Sequence, residues 1–152
     1  MRRVYRFANG YEVWEQAPRR RTIMKQGFWR FMLDVDAKLV RVRFPYVVFV
    51  GCPYGDLRVF FRNRPLRRVS DVMRVAPMPN VFPRGKVCQP GTRAVAGQIA
   101  MFWDTTFTHY DSMSCLWGGK LWRLQRFLML PTLLMWWPTR RVRPADFAFD
   151  ET

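Results

Sequence analysis

At 152 residues, 49% hydrophobic and 16% aromatic, the chain has room for one domain with a real core and is too apolar for wholesale disorder. Its formal charge of +15, mostly arginine, draws anionic partners: nucleic acid, an acidic protein surface or anionic lipid, though an arginine-rich coding bias would produce part of it without function. Cys52, Cys88 and Cys115 form no CxxC pair and His109 is the only histidine, so the short paired spacings of a structural zinc site are missing, and neither a metal nor another cofactor is expected.

The opening "MRRVYRFANGYEVWEQ" scatters its charges and has no continuous apolar run, so no secretory signal is read, and a reducing, cytoplasmic setting with free thiols is expected. Within it, "RRVYRF" and "YEVWEQ" flank Asn9-Gly10, a strong hairpin signal. After the basic break "APRRR", Thr22 to Asp36 reads equally as strand or short helix. Three strands follow: "KLVRVRF" (Lys38 to Phe44), "YVVFVGC" (Tyr46 to Cys52) and "LRVFFR" (Leu57 to Arg62). Short Pro/Gly turns between them predict an antiparallel meander. The second is apolar throughout, as a strand covered on both faces should be.

Beyond Pro65, "RRVSDVMRVA" is a short helix or strand leading into "PMPNVFPRGKVCQPG", a stretch dense in turn formers. Val95, Ile99, Phe102 and Trp103 recur at helical spacing, and Leu121, Leu124 and Leu128 repeat the signal. "FLMLPTLLMWW" is strongly apolar, but it is broken by Pro131, closed by Pro138, and shorter than the ~20 residues a membrane-spanning helix needs. It packs on the domain, or it lies at a membrane interface with Trp136, Trp137 and the neighbouring arginines; a membrane partner is the less expected reading. The tail "PADFAFDET" reads as extended or frayed. The expected organisation is a single α+β domain over 1–152, with no internal repeat. It comprises a hairpin and linker (1–36), a β-meander (38–62), a cysteine loop (77–91), helices (92–137) and a basic extended tail (138–152).

The cysteine loop repays a residue-by-residue reading. Pro79 forces Met78 out of helix. Pro83 and Gly85 fit a type I turn over Phe82-Pro83-Arg84-Gly85, with Pro second and Gly fourth. That turn folds Lys86-Val87-Cys88 back beside Asn80, with Val81 and Phe82 as anchors. A thiol beside an amide suits acyl or thioester transfer: the thiolate attacks a carbonyl, and the amide bonds the developing oxyanion or holds the loop. Lys86 and Arg84 nearby favour the thiolate. The plainer alternative is a cysteine closing a buried strand beside a turn asparagine.

"MPNVFPRGKVC" resembles the active-site signature of ubiquitin-conjugating enzymes, which runs His-Pro-Asn, aliphatic, aromatic, a turn with Gly, aliphatic, Cys. It keeps Pro79, Asn80, Val81, Gly85, Val87 and Cys88 at the family's Asn-to-Cys interval. The resemblance extends over roughly Lys38 to Asp104, and only the motif itself is specific. It looks closer still to divergent bacterial relatives in plasmid and mobile-element gene clusters, of the PRTRC system protein B type, because "MFWDTTFTH" (Met101 to His109) looks like their second motif. The resemblance implies the ubiquitin-conjugating fold. It further implies a thioester between Cys88 and a ubiquitin-like modifier, an oxyanion site shaped by Asn80, and transfer to an amine. His109 would serve as base or substrate organiser, and Asp104 or Asp111 could orient the amine. Met78 stands in place of the signature histidine, Gln89-Pro90-Gly91 in place of a leucine-rich continuation, and no N-terminal helix is evident. A dedicated activating enzyme is therefore the implied partner. A silent member of the same fold, acting as a basic protein- or nucleic-acid-binding module, is the alternative. For that role the candidate residues are Arg19, Arg20, Arg21, then Arg62, Arg64, Arg67, Arg68, then Arg140, Arg141, Arg143, with Phe60, Phe61, Trp136 and Trp137 near them. A solvated basic face is the plain reading of all three clusters.

Overall fold

Residues 12–26 and 38–51 are rich in strand formers, and the computed structural model pairs them as one long hairpin. It describes residues 1–26, 28–29, 32–33, 38–78, 80–82, 84–91, 93–105, 107–108 and 140–148. The strands are β1 (Arg2–Arg6), β2 (Glu12–Gln16), β3 (Arg19–Gln26), β4 (Phe28–Trp29), β5 (Met32–Leu33), β6 (Lys38–Phe44), β7 (Tyr46–Gly51), β8 (Leu57–Arg62) and β9 (Met73–Val75), followed by helix α1 (Val95–Asp104), β10 (Phe107–Thr108), β11 (Arg141–Val142) and a 3₁₀ turn (Pro144–Phe147). Among the described residues, β1-β2-β7-β8-β9-β11 form one antiparallel sheet, β10-β3-β6 a second with β10 parallel to β3, and β4-β5 a small third. The architecture is α+β: mixed, mostly antiparallel sheet with one α-helix among the described residues.

The register explains why there are two main sheets. Pairing runs from Glu12↔Gly51 to Gln16↔Val47, then resumes from Arg19↔Phe44 to Lys25↔Lys38 without a slip. Pro18 and Pro45 therefore face each other. Neither nitrogen carries a hydrogen to donate, so the ladder breaks there and its two halves join different neighbours. The expected meander over 38–62 is corrected accordingly. β6 and β7 are separated by Pro45 alone, too little chain to reverse direction, and they are successive halves of one bent strand. Only β7 and β8 form the anticipated hairpin. The ambiguous Thr22–Asp36 segment is strand as far as Gln26, with β4 and β5 beyond.

Both faces of β7 are covered, as its unbroken apolar sequence predicts. On one face, α1 sets Phe102 and Trp103 edge-on to Phe49, ring centroids 5.6 and 6.0 Å apart, and Trp103 also meets Phe44 at 5.0 Å. On the other, Phe147 packs against Phe60 at 5.8 Å and Tyr11 at 6.0 Å. Residues 144–148 of the tail thus form a docked 3₁₀ turn rather than an extended or frayed end. Pro144 suits a helical first turn, the Asp146 carboxylate accepts the Arg143 N–H at 2.7 Å, and the Asn9 amide donates to the Phe147 carbonyl at 2.8 Å. The helix expected at Leu121, Leu124 and Leu128, together with "FLMLPTLLMWW", lies outside the described residues. Among those described, no helix is long and apolar enough to cross a membrane.

Two hairpins share one turn. In "FANGY" the Phe7 N–H donates to the Tyr11 carbonyl (2.8 Å) and the Gly10 N–H to the Phe7 carbonyl (3.0 Å); in "FPRGK" the Phe82 N–H donates to the Lys86 carbonyl (2.8 Å) and the Gly85 N–H to the Phe82 carbonyl (2.8 Å). Each closes with a glycine at positive φ, 89° at Gly10 and 88° at Gly85, the conformation of a type I turn with a glycine bulge. The surroundings differ: a Cβ on Gly10 would meet nothing within 4 Å, whereas one on Gly85 would press on Phe60 Cε1 at 3.0 Å. Gly10→Ala should therefore cost about 1 kcal/mol, the backbone strain alone. Gly85→Ala should cost at least about twice that, because overpacking adds to the strain. Urea midpoints of the two variants check this, and equal losses would show that the Phe60 ring yields without cost.

Candidate functional site

Cys88 owes its position to strand alternation on a docked hairpin. Val81 and Val87 turn inward and are buried, while Lys86 and Cys88 face out and are exposed. The hairpin lies along β8: the Val59 N–H donates to the Gly85 carbonyl at 2.9 Å and the Val87 N–H to the Leu57 carbonyl at 2.8 Å. The expected turn over Phe82–Gly85 is present, and Val81 is fully buried with Phe82 half-buried. Pro79 and Pro83 lie outside the described residues, as do His109, Asp111 and Cys115.

Asn80 and Cys88 are brought side by side. The Cys88 N–H donates to the Asn80 carbonyl at 2.9 Å, and Asn80 sits at φ 61°, a left-handed conformation that Asn tolerates better than most residues. The asparagine is 7% exposed, so the residue beside the exposed thiol is itself tucked under the loop. Lys86 does not stand over Cys88 as a lone cation: its ammonium pairs with Asp56 at 3.0 Å, which offsets much of its field.

The chain after Cys88 is laced around the β7–β8 turn, with residues that the motif reading did not single out. The Gln89 side-chain amide donates to the Gln98 carbonyl in α1 at 3.0 Å. The Gln98 amide, fully buried, donates to the Arg93 carbonyl at 2.8 Å and the Cys52 carbonyl at 3.1 Å. The Tyr54 N–H donates to the Arg93 carbonyl at 3.1 Å, and Tyr54, at φ 61°, is 77% exposed. A Cβ on Gly91 would overlap the Gly55 carbonyl, so the two backbones touch where no side chain fits. Gln98 has a sequence signal, a polar residue inside the Val95/Ile99/Phe102 stripe; Tyr54 has none beyond its turn. Asp104 is exposed at the end of α1. Among the described residues no group of three or more His, Cys, Asp or Glu could hold a metal.

The arginine clusters part company. Arg19 and Arg20 are exposed on β3, whereas the Arg21 guanidinium lies 4.2 Å over the Trp103 ring and donates to Gln16 Oε1 at 2.9 Å. Burial, then repulsion from Arg19, lowers its pKa to about 10, with Asp104 opposing; it is still a cation at neutral pH, serving the core. Arg62 Nη1 lies 2.9 Å from Asp71 Oδ2, while Arg64, Arg67, Arg68, Arg140, Arg141 and Arg143 are exposed. Phe60 and Phe61, expected as stacking partners for a nucleic acid, are instead fully buried, because β8 is covered on both faces. Trp136 and Trp137 lie outside the described residues.

Asp71 holds the Arg67–Arg68 turn. Backbone N–H bonds from Arg67 and Arg68, assisted by Arg62, lower its pKa from the ordinary 3.8 to about 2. Since the folded value is below the unfolded one, the stabilisation is complete above about pH 4–5 and is lost as pH falls from 3.8 towards 2. Asp71→Asn should therefore lower stability by about 1 kcal/mol at neutral pH, with the difference from the parent closing towards pH 2. Urea midpoints across that range check it; a pH-independent gap would assign the loss to shape rather than charge. No family model matches the chain, and no curated protein or solved structure is significantly similar to it.

Proposed function

We propose that the chain is a cysteine-dependent acyl carrier of the ubiquitin-conjugating type. It would receive a ubiquitin-like modifier as a thioester on Cys88 and pass it to an amine. One observation carries the reading: the Cys88 thiol is exposed while the backbone on either side of it is fixed, by Asn80 before and by the Gln89–Gln98 contact after. A cysteine buried in the core would be closed to a partner's carbonyl, and one on a loose loop would have no fixed position. Pre-set geometry of this kind is what a nucleophile that must meet a bulky partner's carbonyl requires.

The reaction divides into two exchanges. The Cys88 thiolate bonds to the carbonyl carbon of an activated modifier, and the sulfur of the activating enzyme leaves as its own thiolate. An acceptor amine then attacks the same carbon, Cys88 leaves as thiolate, and the amine loses a proton to solvent or to a base such as His109. Asn80 contributes through the loop it shapes, its carbonyl holding the Cys88 N–H. Lys86, two residues before Cys88 on the same outward face, pairs with Asp56 and would meet a modifier's tail there.

The test uses a small peptide thioester as donor and intact-mass detection. The parent chain should gain one hydroxylamine-labile acyl group, Cys52→Ala should gain it equally, and Cys88→Ala should gain none. Iodoacetamide should likewise label Cys88 well before the half-buried Cys52. Acylation that persists in Cys88→Ala, or a Cys88 that is modified only after unfolding, would overturn the reading.

A further inference from the structure

The chain contains two copies of one arginine-bearing turn. In Arg68-Val69-Ser70-Asp71, the Asp71 N–H donates to the Arg68 carbonyl at 3.0 Å, and the Asp71 carboxylate accepts the N–H groups of Arg68 at 3.0 Å and Arg67 at 2.8 Å. In Arg143-Pro144-Ala145-Asp146, the Asp146 N–H donates to the Arg143 carbonyl at 3.0 Å, and its carboxylate accepts the Arg143 N–H at 2.7 Å. The turns, far apart in sequence, are docked together: the Ala145 N–H donates to the Val69 carbonyl at 2.9 Å. The first is also fixed from beneath, since the Tyr5 hydroxyl donates to the Arg67 carbonyl at 2.7 Å and the Leu66 N–H donates to the Glu15 carboxylate. A basic run that merely keeps a protein soluble needs no such mounting.

Each turn borders an open hollow. The first, of about 510 Å³, is walled by Arg64, Arg67 and Arg68; the second, of about 430 Å³, by Arg141 and Arg143 with Asp146, whose Oδ2 accepts the Arg143 N–H. Asp71 faces the first; its Oδ2 accepts the two backbone N–H groups and lies 2.9 Å from Arg62 Nη1, so this one carboxylate stands against four guanidiniums, those of Arg62, Arg64, Arg67 and Arg68. Among the described residues, the side chains of Arg64, Arg67, Arg68 and Arg141 have no carboxylate partner. Arg141 also stands directly opposite Arg74 across β11 and β9, a like-charge pair that repels unless an anion is shared.

We propose that this double hollow docks the phosphate backbone of a nucleic acid strand, independently of sequence. All of its cations are guanidiniums, whose planar forks match phosphate oxygens two at a time. Two hollows in series suit a repeating anion better than a single phosphate. Among the described residues no aromatic side chain lines either one, so the lining offers partners to phosphates and none to bases. The site is separate from Cys88 and does not depend on the acyl-carrier reading.

The experiment is anisotropy titration of a labelled mixed-sequence oligonucleotide, over a series of salt concentrations, with three folded proteins. These are the parent chain, the Arg67→Gln/Arg68→Gln/Arg141→Gln variant, and Arg6→Gln/Arg41→Gln/Arg43→Gln, which loses the same charge from exposed positions elsewhere. Expected are a linear fall of log affinity with log salt, no effect of scrambling the sequence, and a slope shallower by about 2–3 in the first variant, at about 0.7–0.9 per phosphate contact. The first variant should bind at least about tenfold more weakly, and the second within about threefold of the parent. Equal losses in both variants would reduce the effect to net charge and overturn the site. So would displacement of the oligonucleotide by polyglutamate at matched charge, which would mark an acidic protein partner, or by low concentrations of inorganic phosphate, which would mark a small-anion pocket.

Discussion

Where Pro18 meets Pro45, two neighbouring strands lack a backbone donor at the same level, and a ladder that would otherwise run the length of the hairpin is interrupted once. Below the interruption, β2 and β7 sit inside the six-stranded sheet; above it, β3 and β6 depart with β10. Trp103 of α1 reaches both sides of the bend, meeting Phe49 below it and Phe44 above it, with Arg21 laid across its ring. An aromatic ring in that position fills the inside of the bend, and the guanidinium supplies a lid that is apolar on its face and polar at its edge. The direction of α1 follows from this wedge.

Because α1 is fixed at its C-terminal end by aromatic packing, its N-terminal turn is a firm support for what comes before it. The Gln98 amide uses that support to gather the Arg93 and Cys52 carbonyls, and Gln89 ties the cysteine segment to the same helix. The exposed thiol is thus held by polar contacts between backbone and amides, while the apolar residues on either side of it, Val81 and Val87, fix only depth. Apolar contacts set how far a segment sinks; directional hydrogen bonds set where along the surface it lies.

What was legible in the sequence was local. The turn at Phe82–Gly85 is written in Pro and Gly at fixed offsets, α1 in the spacing of Val95, Ile99, Phe102 and Trp103, and β7 in an unbroken apolar run. The pairing of β6 was not legible, because alternation reveals that a segment is a strand and nothing about its neighbour. Pro45 looked like a turn when its real effect depends on a second proline, Pro18, that only the register brings opposite. Gln98 was hidden because a periodicity reading discounts a polar residue inside an apolar stripe, although burial is what makes its amide useful. The ordering of Phe147 was missed for a similar reason: a short tail near a terminus reads as frayed until Asn9, at the other end of the chain, is seen to hold it.

The sheet order places β1 at one border of the six-stranded sheet and β11 at the other, among the described residues. A border strand offers unused donors and acceptors to any passing strand, which is how folded chains stack into fibres. Here β1 carries Arg2, Arg3 and Arg6, offset in part by Glu15 and Glu12 of β2, and β11 carries Arg141, which has no carboxylate partner among the described residues, so two copies meeting border to border bring an excess of guanidiniums together before any hydrogen bond can form. An arginine-rich composition thereby acts as a kinetic guard on a half-apolar chain. That guard has a range of about 8 Å at physiological ionic strength and shortens as salt rises, so concentrated salt is the condition under which self-association of this sheet becomes easiest.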